Sequence, residues 1–213
     1  MSKNIGAAIL AGGMSRRMGA NKALLRLTPG GPTVIEMVVA ALNAAGFDAP
    51  LVVTNSAEEY AFLGLRCVPD EITGAGALGG ILTALIHSEG ANSTLVVACD
   101  MPLLNPALLQ YMASIDNEYD ALVPRWVGAG ETRLEPLHAI YSERCADIVR
   151  REILAKRLKL GDFLRNVNTI YLDEAELRRF DPRLVSFCNV NTPDEWAKLT
   201  ESQEEIGRWT SER

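Results

Sequence analysis

Three apolar runs, Gly6–Leu10, Ala49–Thr54 and Thr94–Cys99, are separated by segments of helical period. A run that is apolar on both sides of the pleat must be covered on both faces of its sheet. Between these runs, Thr33–Ala45 sets Val34, Ile35, Val38, Val39 and Leu42 at helical spacing and stops at Gly46. Arg66–Val68 reads as a short third strand, Leu78–His87 as a helix and Asp120–Pro124 as a strand. Pro106–Ile115 reads as a helix with proline in its first turn. Alternation of this kind through the first 125 residues predicts an α/β fold, a parallel sheet with helices on both faces. Further on, Leu137–Tyr141 and Val167–Leu172 read as strands, Glu143–Ala155 as a helix, and Phe187–Val190 as a strand returning to the main sheet. Thr192-Pro-Asp-Glu195 reads as a capped helix start, ahead of a polar tail.

The chain has a net charge of −6, yet Met1 to Ile35 contains no Asp or Glu. Its charges there are Lys3, Arg16, Arg17, Lys22 and Arg26. Within that stretch, the run Leu10-Ala11-Gly12-Gly13 leads into Ser15-Arg16-Arg17-Met18-Gly19 and then Lys22. Glycines 12 and 13 let a bulky anion approach the backbone N–H groups, as a phosphate cradle requires. An ordinary strand-to-loop turn with solvated arginines is the plainer reading of the same residues. The acidic balance excludes a broad nucleic-acid surface, which needs clustered Lys and Arg over a wide face. No run approaches the roughly 18 apolar residues of a membrane span. Cys67, Cys99, Cys145 and Cys188 are widely spaced, with no C-x-x-C pair, so reduced thiols in a cytoplasmic protein are expected.

In an open parallel sheet, ligands bind beyond the carboxyl ends of the strands. Gly12 and Gly13 follow the first strand, Asn55 the second, Asp70 the third and Asp100 the fourth. Singly, Asn and Asp are ordinary turn formers; in series they outline one crevice. Asp100 follows a buried strand and precedes Met101-Pro102, so a hard carboxylate is held at the crevice, the usual setting for Mg²⁺ beside a phosphate site. With only two histidines, a histidine-based metal site is disfavoured, and His87, near a helix end, reads as structural. Neither G-x-G-x-x-G nor G-x-x-x-x-G-K-[ST] occurs, which disfavours a dinucleotide dehydrogenase and a P-loop NTPase. Gly74–Gly80 is either a second ligand-approach segment or a helix lead-in.

Leu10-Ala-Gly-Gly13 with Ser15, Arg17, Met18, Gly19, Lys22 and Leu24 resembles the signature of nucleotidyltransferases with the GT-A-like fold. Asn55, Asp70, Gly76-Ala-Leu-Gly-Gly80, Cys99-Asp-Met-Pro-Leu103, Arg133-Leu-Glu-Pro-Leu-His138 and Phe187-x-Asn-x-Asn-Thr-Pro193 extend the resemblance to the molybdenum cofactor guanylyltransferase (MobA-like) family over nearly the whole chain. The resemblance implies a three-layer Rossmann-like fold with a mostly parallel sheet. It implies one nucleotidyltransferase domain over residues 1–200, nucleotide-binding in its N-terminal half and pterin-binding in its C-terminal half, then a tail at 201–213. It implies transfer of GMP from GTP to molybdopterin or molybdenum-molybdopterin with Mg²⁺, releasing pyrophosphate. Leu10, Ala11, Gly12 and Gly13 would contact the nucleotide, with Arg17 and Lys22 on its phosphates. Asn55 and Asp70 would bind the guanosine part, Asp100 the Mg²⁺, and Asn189 and Asn191 the pterin. Transient contact with molybdenum insertion proteins or molybdoenzyme chaperones would follow from the lability of such a product.

A molybdopterin cytidylyltransferase or a sugar-phosphate nucleotidyltransferase of the same fold is the alternative enzyme. Gly12, where the cytidylyltransferase relatives carry alanine, and Asn189-Val-Asn-Thr-Pro193 favour the guanylyltransferase. A catalytically silent nucleotide-binding regulator is the alternative outside enzymes, and Arg17, Lys22 and Asp100 speak against it. Arg157 and Lys159 read as a solvated helix face or as a contact for the pterin phosphate.

Overall fold

A computed structural model describes residues 4–12, 21–27, 29–128, 130–190, 192, 194, 195 and 197. The elements in chain order are β1 (Ile5–Leu10), α1 (Val34–Ala44), β2 (Leu51–Val53), β3 (Cys67–Val68), α2 (Gly76–His87), β4 (Ser93–Ala98), α3 (Pro106–Ser114), β5 (Ala121–Gly128), β6 (Glu131–Leu134), β7 (His138–Ser142), α4 (Cys145–Leu154), α5 (Leu160–Arg165), β8 (Thr169–Asp173) and α6 (Glu174–Leu177). They build an eight-stranded sheet in the order β3-β2-β1-β4-β7-β5-β6, with β8 beside β5. The β3-β2-β1-β4 half is wholly parallel, and β4 pairs with β1 along its full length, Ile5↔Ser93 to Leu10↔Ala98. β7 runs antiparallel to both β4 and β5, whereas β8 is parallel to β5. The sheet is thus mixed, and mostly parallel at its core.

Alternation along the strands divides the core into two layers. Ile9, Val52, Leu95 and Val97 face Ile35, Val38 and Leu42 of α1 and Leu108, Leu109 and Met112 of α3. Ala8, Leu10, Val53 and Val96 face Leu78, Ile81 and Leu82 of α2 and Val149 and Ile153 of α4. This is the expected helix–sheet–helix stack. Helix α1 starts on a reciprocal cap: Thr33 Oγ1 accepts from Glu36 N–H, and the Glu36 carboxylate accepts from Thr33 N–H at 2.7 Å. The Asn105 side chain caps α3 by accepting from Leu108 N–H, with Pro106 in the first turn as expected.

Two glycines of the segment before β4, Gly79 and Gly80, serve packing. A Cβ on Gly79 would lie 2.9 Å from Ala75 Cβ and 3.1 Å from the Ile72 carbonyl oxygen, and one on Gly80 would lie 2.8 Å from Leu10 Cδ1. Glycine at 80 lets α2 lie close against β1, and glycine at 79 lets the loop at 72–75 fold onto the start of the helix. Phe187–Val190 is not a strand: Val185–Phe187 forms a 3₁₀ turn, and Val190 N–H makes a single bond to the Asp100 carbonyl at 2.9 Å. The Phe187 ring is held on the sheet face between Trp126 and His138, with centroids 4.8 and 4.9 Å away, so the segment lies on the sheet and does not extend its edge. The Thr192 cap forms, its hydroxyl accepting from Glu195 N–H at 3.1 Å. Residues 201–213 lie outside the described residues. Among the described residues, no helix is long and apolar enough to cross a membrane.

Candidate active site

The parallel strands β1, β2, β3 and β4 all end at one edge, and each is followed there by a polar group or a glycine. Leu10 and Ala11 tie β1 to its neighbours: Ala11 N–H donates to the Val53 carbonyl at 2.9 Å, and the Leu10 carbonyl accepts from Cys99 N–H at 3.2 Å. Their backbone groups are therefore used by the sheet, and the chain emerges at the exposed Gly12. A Cβ at Gly12 would stand 3.6 Å from Asp70 Oδ2 and 3.7 Å from the Val53 carbonyl oxygen, ordinary contact distances. Asp70 itself is locked to Asn55. Asn55 Nδ2 donates to Asp70 Oδ2 at 2.8 Å, and Asp70 N–H donates to Asn55 Oδ1 at 3.0 Å. The pair bridges the ends of β2 and β3 and leaves Asp70 Oδ1 free of that contact.

Asp100 stands half-buried one residue beyond Cys99, at the end of β4. Burial raises its carboxyl pKa, while its own backbone N–H and the Lys22 ammonium pull it down. Lys22 opens a short 3₁₀ turn, Lys22–Leu24, capped by the Asn21 side chain, which accepts from Ala23 N–H at 3.2 Å. The same ammonium offsets part of the rise at the Cys99 thiol, which burial pushes up to about 12. Asn189 is exposed and immediately precedes the Val190–Asp100 backbone bond, so the C-terminal segment joins this edge. Gly13, Arg17 and Asn191 lie outside the described residues.

Glu135, which the strand-end pattern does not single out, lies in the turn before β7 and adds a second acid to the edge. Its Oε1 accepts from Leu137 N–H at 3.2 Å, and the Leu137 carbonyl accepts from Ala98 N–H at 2.9 Å. Burial, with the Asp100 charge adding to it, pushes its pKa up to about 7. No local signal marks it: the antiparallel pairing of β7 with β4, which brings the start of β7 to the end of β4, is set by tertiary structure. Of the two basic residues considered for the pterin phosphate, Arg157 is engaged by Glu152, with contacts of 2.8 and 2.9 Å, and Lys159 is exposed. His87 ends α2 and pairs with Glu71 at 2.8 Å, a structural role. The cysteines are free, and among them Cys145 is fully buried.

A mixed α/β sheet of this order, with a glycine exit and a half-buried carboxylate at its carboxyl edge, is the architecture of the α/β nucleotidyltransferases. The chain belongs to the MobA-like NTP transferase family, whose domain model matches residues 7–170. It is 41% identical over 191 residues to a "Probable molybdenum cofactor guanylyltransferase" of Pelotomaculum thermopropionicum, covering 89% of each chain. A protein of the same description from Clostridium perfringens is 34% identical over 201 residues, 93% of this chain and 97% of the other. Among solved structures, molybdopterin-guanine dinucleotide biosynthesis protein A from Archaeoglobus fulgidus superposes with a TM-score of 0.76 at 31% identity, over 94% of this chain and 99% of the other.

Proposed function

We propose that this enzyme transfers GMP from GTP to the terminal phosphate of molybdopterin, with or without bound molybdenum, giving molybdopterin guanine dinucleotide and pyrophosphate. The observation that carries the proposal is the shared edge on which Gly12, the Asn55–Asp70 pair, Lys22 and Asp100 stand. In this reading a phosphate oxygen of molybdopterin attacks the α-phosphorus of GTP, the bond to the bridging oxygen breaks, and pyrophosphate leaves with that electron pair. The attacking phosphate monoester is already ionised near neutral pH, so no general base is needed. Positioning and charge neutralisation do the work. Lys22 and Arg17 stabilise the negative charge that grows on the leaving pyrophosphate. Asn55 and Asp70 hold the guanosine part against the strand ends, and Leu10, Ala11, Gly12 and Gly13 line its approach. Asn189 and Asn191 take the pterin, so the nucleotide lies on the N-terminal half of a domain spanning residues 1–200 and the pterin on the C-terminal half.

The donor set fits Mg²⁺. Asp100 and Glu135 place two hard carboxylates together in a half-buried setting, with Lys22 as the opposing charge that acts on Asp100. Among the described residues no group of three or more His, Cys, Asp or Glu side chains is gathered. Mg²⁺ takes one or two carboxylates and completes its shell with substrate phosphates and water. When bound on Asp100, Mg²⁺ supplies charge neutralisation of the triphosphate. The enzyme is cytoplasmic in this reading, and passes its labile product on through brief contacts with insertion proteins or chaperones.

Pyrophosphate release with molybdopterin, compared among GTP, CTP, ATP and UTP, tests the reading. Release with GTP alone is expected. Release with CTP alone would assign the cytidylyltransferase reaction, and binding without release would assign a regulator.

A further inference from the structure

One buried side chain joins the two points where the glycine–arginine stretch leaves the sheet and where it returns. Tyr60 lies on the 3₁₀ helix Ala57–Leu63 that follows β2, and it is 1% exposed. Its hydroxyl accepts from Asn21 Nδ2 at 2.9 Å and donates to the Ala11 carbonyl at 3.4 Å. Ala11 precedes Gly12 on the outgoing side, and Asn21 precedes Lys22 on the returning side. Asn21 is held on three sides: its amide nitrogen also donates to Glu59 Oε2 at 2.6 Å, and its Oδ1 accepts from Ala23 N–H. Beyond that turn, Leu25 N–H donates to the Lys22 carbonyl and Val34 N–H to the Leu25 carbonyl, so the lysine is tied onward to the start of α1.

We infer that Tyr60 is a positioning residue for nucleotidyl transfer, fixing through a single phenolic oxygen where Lys22 stands relative to Gly12. The inference rests on the reading that Lys22 meets the triphosphate. A ring used for packing alone would be replaceable by phenylalanine, which fills the same volume and lacks only the oxygen. The oxygen here adds nothing to the apolar core. Its partners are the strand exit and the asparagine that caps the lysine's own turn. Displacing a catalytic charge by about 1 Å suffices to cost on the order of a hundredfold in rate, so a small shift at Asn21 is felt in turnover before it is felt in folding.

The test is a double-mutant cycle on pyrophosphate release with GTP and molybdopterin, using Tyr60→Phe, Lys22→Met and the double variant, each checked by thermal melting. Tyr60→Phe is expected to melt cooperatively, to lose about tenfold or more in kcat with KM for GTP within about threefold, and to add no further loss to Lys22→Met. Asn21→Ser, too short to reach the phenol, is expected to behave in the same way, and decides the matter should Tyr60→Phe fail to fold. Parental kcat in Tyr60→Phe, or an equal fractional loss with and without Lys22, overturns the positioning role. Parental turnover by Lys22→Met removes the phosphate reading itself and this inference with it. A crippled Lys22→Met beside a parental Tyr60→Phe removes the positioning alone.

Discussion

His138 makes stability depend on pH in a way that can be worked out in advance. Its ring is 0% exposed, tilted against the Phe187 ring with centroids 4.9 Å apart, and among the described residues neither ring nitrogen has a hydrogen-bond partner. Burial lowers its pKa from 6.5 to about 4, and the nearby Asp181 carboxylate, with the Ser186 backbone behind it, offsets only part of that. Such a histidine takes up its proton on unfolding, so stability is fully present above 6.5 and is lost as the pH falls toward about 4. Between pH values of about 7 and about 4.5, linkage with these two pKa values removes roughly 2 kcal/mol. His138→Leu deletes the titration and the two orphaned nitrogens while keeping similar volume. The variant should therefore match or slightly exceed the parent at about pH 7 and lead it by about 2 kcal/mol at about pH 4.5. Urea unfolding of both proteins at the two pH values reads the difference directly, because every other titratable group is present in both. A gap that does not widen on acidification refutes the reasoning.

Glu135 acts with the opposite sign: its pKa is raised from 4.5 to about 7, so the folded protein holds the extra proton and stability falls as the pH rises through that window. With chelator present, Glu135→Gln should be more stable than the parent by about 1–2 kcal/mol at about pH 8, and the advantage should vanish below about pH 4.5 in the same unfolding assay. Gly79→Ala should destabilise by about 1–3 kcal/mol in denaturant melts despite alanine's better helix propensity, because the new methyl meets the Ile72 carbonyl and Ala75. Asp100→Ala should abolish turnover at ordinary Mg²⁺ while the circular dichroism and melting transition stay near parental. Gly12→Ala should fold normally, since its Cβ meets only contacts of 3.6 Å and longer, yet shift nucleotide preference away from GTP in competition assays.

The α/β alternation was legible because β1, β2 and β4 are apolar on both faces and α1 and α2 show a helical period, whereas the polar β6 and the short α5 and α6 gave no such signal. Asn55, Asp70 and Asp100 were legible with it, since each stands just past the carboxyl end of a strand. Glu135 was not, because the strand it follows, Glu131–Leu134, is polar and exposed and does not read as one, and the direction of β7 is a tertiary fact: His138–Ser142 reads identically in either orientation. Phe187–Val190 misled for a related reason. Its apolar residues fit a strand, but Phe187 uses its ring to cover Trp126 and His138, which no local period announces. Tyr60 was invisible because its partners, Ala11 and Asn21, lie far from it in sequence. The capping box at Thr33 and Glu36 was readable in principle, three residues apart ahead of an apolar period.

The reversal at β7 also bears on how the chain is made. Strand β4 is buried along its whole length and pairs on one side with β1, which emerges early, and on the other with β7, which emerges only some forty residues later. At ribosomal speeds of about 5–20 residues per second, one edge of this buried strand is open for seconds. Such an edge is a template for pairing with another nascent chain. Vectorial synthesis thus leaves a buried strand with an open edge between Ala98 and His138, a period in which a chaperone has something specific to protect.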